Sequence, residues 1–245
     1  GNPDNLYLVS RLEDDAVYRI TGRIGSTADF NIQLYQGYPG VQRPFTAHGA
    51  LGIDRLITDS EGRFEVIVGG PERDGNWIEL RPDSRRLLVR YTYGDWTGED
   101  PGEIFIQRLD SAGAPARATS NATNTAVAQR IDAAAVYLTD ALTGYLATVE
   151  QVYAGLSMNT LRALRRNSGS AGGLSNQYLS TGRYQLRDDQ ALVVTTRPSD
   201  ARYQGFQIGP EWFEALDFVN QTTSLNTRQP RLPSDGLYRH VNSPR

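Results

Sequence analysis

The sequence predicts a mainly β protein, two tandem antiparallel β-sandwiches joined by a helical segment. Three observations predict it: the chain repeats itself, each copy alternates apolar and polar residues at period two, and one stretch between the copies has helical spacing. A constant offset of 174 residues carries the repeat. It takes Asp14-Asp15 onto Asp188-Asp189, Asn31-Ile32-Gln33-Leu34 onto Gly205-Phe206-Gln207-Ile208, and Glu61-Gly62-Arg63-Phe64 onto Asp235-Gly236-Leu237-Tyr238. Asn5-Leu6-Tyr7-Leu8 also returns as Asn176-Gln177-Tyr178-Leu179. The resulting organisation is a first sandwich over 1–112, a linker with helices over 113–172, and a second sandwich over 173–245 that is incomplete at its C-terminal side.

In copy one, Val17 to Ile20, then Phe30, Ile32 and Leu34, then Phe64, Val66 and Val68 place apolar side chains on alternate faces, the mark of half-buried strands. Glu13-Asp14-Asp15, Gly22 to Gly25, Ser60-Glu61-Gly62 and Arg73-Asp74-Gly75-Asn76 separate them. These clusters favour turns, because Gly and Asn tolerate left-handed backbone and Asp and Ser bond back to it. Strands over 86–93 and 104–106 complete the sandwich. Pro115 to Asn124 is a polar linker. Beyond it Val127, Ile131, Ala134, Leu138, Leu142, Tyr145, Val149, Val152 and Leu156 recur at steps of three and four, predicting a helix over 125–156 capped at Thr123 or Asn124 and ended near Gly155. At 1.5 Å per residue it is about 48 Å long, so a bend near Gly144 is expected. This helix either packs across both sandwiches or pairs two copies of the chain. Arg162, Arg165 and Arg166 are expected on the solvated face of a following short helix. In copy two the equivalents of Trp77 to Arg108 would fall beyond residue 245, so two strands are expected to be missing and another element, or another chain, to close that edge.

Composition excludes much chemistry. Among 245 residues there is no Cys, there are two histidines, His48 and His240, and all 25 basic residues are arginine. Thiol nucleophiles, disulfides, thiolate zinc sites, Schiff-base lysines and lysine-dependent phosphate loops are therefore absent. A net charge of −3 with both signs interspersed gives no footprint for nucleic acid or an anionic membrane, and no apolar run approaches a bilayer span. Gly1 to Tyr7 does not resemble a signal peptide, so a soluble protein is expected, either cytoplasmic or a mature periplasmic or secreted one.

The repeat is also an internal control: positions kept in both copies read as scaffold, and chemistry is sought where one copy departs. Asp14, Asp15, Gln33 and Gly62 are kept. Glu211, Glu214 and Asp217 instead fall opposite Gly37, Gly40 and Arg43, and Asn220 and Gln221 fall opposite Thr46 and Ala47. If Pro210 opens a helical turn, the three carboxylates at steps of three share a face, with Trp212, Phe213 and Leu216 on the other. Two carboxylates in unequal environments divide acid and base roles, as glycosidases require. The same oxygens suit Ca²⁺, though no cofactor is otherwise implied, and carboxylates that cap loops or pair with arginine fit the pattern equally. Glu214 and Asp217 are the catalytic candidates; Trp212, Asn220, Gln221, Tyr178, Asn176 and His240 are candidates for substrate binding. His240, opposite Val66, also reads as a satisfied, partly buried histidine. A Ser-His-Asp set from Ser224 or Ser234 lacks a Gly-x-Ser-x-Gly elbow.

Asn2-Pro3-Asp4-Asn5-Leu6-Tyr7, Gly75-Asn76-Trp77, Leu87-Leu88-Val89-Arg90 with Tyr93-Gly94-Asp95-Trp96, and Phe206-Gln207-Ile208-Gly209 through Trp212, Glu214, Leu216, Asp217, Asn220 and Thr223-Ser224-Leu225 resemble the bacterial family known as domain of unknown function 1214. The resemblance implies two jelly-roll-like sandwiches, similar in fold to peptide-N-glycanase F. That likeness is one of architecture and assigns no activity. Two functions are expected from the sequence: a hydrolase acting on a glycan or other small hydroxylated substrate through the copy-two carboxylates, or a non-catalytic ligand-binding or homo-oligomeric assembly module.

Overall fold

The structure, a computed structural model, describes residues 2–37, 46–116, 123–167, 173–174 and 177–243. It is mainly β. The first half is a sandwich built from β1 (Asn5–Arg11), β2 (Val17–Arg23), β3 (Asp29–Gln36), β4 (Thr46–Gly52), β5 (Arg63–Val68), β6 (Trp77–Ile78), β7 (Ser84–Thr92) and β8 (Glu103–Leu109). One sheet has the order β1-β7-β3-β4 and the other β6-β5-β2-β8. Every pairing is antiparallel except β5 with β6. Alternation does what the sequence predicts. Phe30, Ile32 and Leu34 from β3, Ile20 from β2 and Val66 from β5 meet Leu87, Val89 and Tyr91 from β7 in one core. Each such side chain, fully buried, stabilises the fold by about 1.5–3 kcal/mol. Phe30 holds the middle, its ring centroid 5.4 Å from Phe64 and 4.8 Å from Tyr91.

A helix, α1 (Asn124–Ala154), follows and runs unbroken through Gly144. Arg162, Arg165 and Arg166 do not form the expected short helix. Short strands β9 (Thr160–Leu161) and β10 (Arg165–Arg166) pair with β12 (Gly182–Arg183) and β11 (Tyr178–Leu179) instead, because the chain reverses and the returning segment supplies backbone partners that a lone turn of helix would not have.

The second half contains β13 (Leu192–Thr196), β14 (Gly205–Gln207), β15 (Ser224–Asn226) and β16 (Tyr238–Asn242). Its two ribbons reproduce copy one residue for residue. Val194 pairs with His240 as Ile20 pairs with Val66, and Phe206 pairs with Leu225 as Ile32 pairs with Leu51. Gly62 and Gly236 adopt the same left-handed turn, φ +75° and +72°. In copy one β2 is also flanked by β8, and β3 by β7; among the described residues the copy-two ribbons have no such third strand.

Polar contacts dock the halves. Asn226 Nδ2 donates to Asp4 Oδ2 at 3.0 Å and to the Gly94 carbonyl at 3.0 Å, and the Tyr203 hydroxyl donates to Asp4 Oδ2 at 2.8 Å. Arg228 pairs with Glu99 at 2.6 Å and Arg202 with Asp54 at 2.6 Å. The Tyr145 hydroxyl of α1 donates to the Trp212 carbonyl, and the Tyr153 ring stacks on Phe213 at 5.6 Å.

Candidate functional site

The segment after β14 carries most of the residues singled out by the sequence. It is a succession of tight turns rather than the expected helical turn. Pro210 accepts from the Phe213 amide at 3.1 Å, closing a turn, and Phe213 then takes φ +57°, which a helix cannot continue. Its ring is anchored between Tyr145 and Tyr153 of α1, so packing against the helix accounts for the departure.

With no helical face, the carboxylates do not converge as a row. Glu211 lies 3.7 Å from Arg183. Glu214 is exposed. Asp217 accepts from the Asn220 side chain at 2.9 and 3.1 Å and from its amide at 3.0 Å. Those Asn220 bonds, the side chain's first, hold the Asp217 carboxyl below the usual carboxylate range. It is thus ionised at neutral pH, the opposite of what a general acid requires.

Asn220 and Gln221 do meet in one place. Together with Phe218, Val219, Thr222, Ser224, Leu225 and Gln229 they line an open hollow of about 250 Å³. Asp217 fixes the Asn220 amide at its rim. Trp212, Glu214, Tyr178 and His240 are not part of this lining. Trp212 is partly exposed, with its carbonyl taken by Tyr145, and Tyr178 stands exposed on β11. Asn176 lies outside the described residues. His240 is buried, stacked on Phe206 at 4.2 Å, and burial lowers its pKa, which fits a packed neutral imidazole. Phe218, Thr222 and Gln229 were not singled out by the sequence. The signal for them is weak, since only a loop that folds back between β14 and β15 brings residue 229 beside 218.

A second hollow, of about 360 Å³, opens beside β4 and is lined by Ala47, His48, Gly49, Ala50 and Arg55. His48 Nε2 and the Ser84 hydroxyl share a hydrogen bond of 2.6 Å. Burial, then the nearby Arg81, lowers the His48 pKa, with Glu79 opposing. Ser84 has no exposed surface, and His48 Nδ1 finds no hydrogen-bond partner among the described residues, so nothing orients the pair for nucleophilic attack. Among the described residues no group of three or more His, Asp or Glu is placed to hold a metal ion, and no helix is long and apolar enough to cross a membrane.

No family model and no curated protein matches the chain. It is similar to a solved structure of an uncharacterized protein from Burkholderia cenocepacia, with a TM-score of 0.83 and 26% identity over 99% of this chain and 66% of that one. The chain thus spans about two-thirds of that protein's length.

Proposed function

We propose that the chain is a non-catalytic binding module whose copy-two hollow takes a small neutral hydroxylated ligand, such as a sugar. The observation that carries this reading is the lining itself. The Gln221 amide, the Thr222 and Ser224 hydroxyls and the Asn220 and Gln229 amide groups not spent on Asp217 and Asn226 offer both donors and acceptors, beside Phe218 and Leu225. Hydroxyl groups match such a set, and the ring face of a sugar suits the aromatic. Hydrolysis is the less supported alternative, because Asp217 is committed to Asn220, Glu211 lies beside Arg183 and Glu214 is exposed. Membership of the domain of unknown function 1214 family belongs to the same proposal and rests on the sequence motifs. Homo-oligomeric assembly is favoured by one feature of α1. Ile131, Leu138 and Leu142 continue the stripe that Val149 buries, yet remain exposed.

Thermal-shift titration with glucose, galactose and N-acetylglucosamine tests the binding reading. A sugar at 100 times its dissociation constant stabilises the fold by about 2.7 kcal/mol. Phe218→Ala and Asn220→Ala are expected to weaken binding at least ten-fold and Glu214→Gln to leave it unchanged. No shift with any sugar, or turnover of an oligosaccharide lost in Glu214→Gln, refutes it.

A further inference from the structure

The sheet β1-β7-β3-β4 has one face in the sandwich core, and its other face is unusual. The outer face of a two-layer sandwich is ordinarily wet and polar. Here it is polar and buried: Gln33 is 1% exposed, Asn31 4% and Arg90 8%. The register sets these residues side by side. Asn31 is opposite Arg90, Tyr35 opposite Arg86, and Tyr7 of β1 on the far side of Arg90. The Arg90 guanidinium lies over the Tyr7 ring, 5.0 Å from its centre.

Part of their hydrogen-bonding capacity is unspent, although the Gln33 side chain also bonds the Tyr35 hydroxyl. Asn31 Oδ1, Gln33 Oε1, Arg86 Nε and Arg90 Nε are buried and find no hydrogen-bond partner among the described residues. The Gln33 amide is not free to turn over, since its Nε2 donates to the Gly173 carbonyl at 3.3 Å. Neither arginine has a carboxylate within ion-pair distance among the described residues. The segments outside the description (1, 38–45, 117–122, 168–172, 175–176 and 244–245) contain no Asp or Glu side chain to supply one. Asp29, also on β3, is the acid whose field reaches Arg90, and burial raises its pKa. Both guanidinium groups act on the Tyr35 hydroxyl, Arg90 more strongly, so their charges fall on the same patch. A buried cation is normally paired, and a buried amide oxygen normally accepts a hydrogen bond.

We propose that this face binds a small carboxylate that carries an adjacent hydroxyl or amino group, the carboxylate taken by Arg90 and Arg86 and the adjacent donor by Gln33 Oε1 and Asn31 Oδ1. Guanidinium groups match a planar carboxylate through paired N–H donors. The two amide oxygens select for the second group, because a ligand made of acceptors alone leaves them unsatisfied. At the margin of the patch Arg86 is half-buried and Tyr7 exposed, which is where a ligand would enter. The site belongs to copy one alone: Asn31 and Tyr35 have Gly205 and Gly209 as their repeat equivalents, and only Gln33 is kept, as Gln207. It is independent of the sugar-binding reading of copy two.

The test is calorimetric titration of the full chain with lactate, with propionate, which lacks the donor, and with inorganic phosphate. Lactate is expected to bind saturably and at least ten-fold more tightly than either. Gln33→Met should erase the preference for lactate over propionate, and Arg90→Met should abolish binding of both. Because Arg90→Met also removes an unpaired buried charge, its melting temperature without ligand should rise. A fall there identifies Arg90 as a packing residue and overturns the proposal. So does binding in Arg90→Met equal to the parent's, phosphate binding as tightly as lactate, or no saturable binding of any probe.

Discussion

The two copies share strand registers and differ in what surrounds them. In copy one, β2 and β3 each lie between two strands, and Ile20 and Ile32 lose all contact with water. In copy two the equivalent Val194 and Phe206 sit in two-stranded ribbons, where Val194 is still buried but Phe206 is only half-buried and Val241, the equivalent of buried Ile67, is exposed. The lesson is that a strand pair keeps its register even as a bare two-stranded ribbon, while burial depends on how many layers close over it. The turns at Asp14-Asp15 and Asp188-Asp189, and at Gly62 and Gly236, recur at the same offset in both settings.

The contrast is broken most strongly by emptying equivalent core positions. Ile32→Ala is expected to cost about 4 kcal/mol, since it leaves a cavity in a closed core. Phe206→Ala, at the matching position in an open ribbon, should cost roughly half of that although it removes a larger side chain. Chemical denaturation of both variants measures the difference, and equal losses would mean that copy two is as closed as copy one. Next in size is Asp4→Ala. It removes an acceptor shared by Asn226 and Tyr203, with an expected loss of about 2–3 kcal/mol. Hydrogen exchange should rise at 203–226 and stay unchanged at β2 and β5; a rise throughout would make the two halves one cooperative unit.

The smallest effect sharpens the comparison through pH. Burial holds His240 below its ordinary pKa, and His48 is displaced the same way. Below about pH 6.5 the unfolded chain takes up protons that the folded one resists, so stability is full above that pH and declines as pH falls toward the folded values. His240→Val installs the copy-one residue, Val66, at the matching position. Its melting temperature should fall less than the parent's between pH 7 and pH 5; an identical pH profile would remove His240 from the account.

Much of the architecture was legible because it is written in periodicities. Offset 174 marked the two copies as one repeated β pattern, and steps of three and four foretold α1 to within two residues at its C-terminal end. The candidate site was legible only in part. Asn220 and Gln221 do line a hollow, but the shared face of Glu211, Glu214 and Asp217 rested on a helical turn that Phe213 interrupts by packing on Tyr145 and Tyr153, residues some sixty positions away. The arginine patch was illegible for a related reason. Gln33 was read as scaffold and Asn31 and Arg90 were not singled out, and only the folded chain shows them buried side by side.

The bond between Asp4 and Asn226 joins residues 222 apart in sequence. On the ribosome the first sandwich emerges whole, with all eight strands and its core, long before Asn226 does, and a domain able to close by itself folds as it emerges. Asp4 and the Gly94 carbonyl therefore stay hydrated after the first sandwich forms, and give up that water only when Tyr203 and Asn226 arrive. Docking follows the folding of the first sandwich, and nascent chains halted before residue 226 would carry a finished sandwich with its receiving surface still wet.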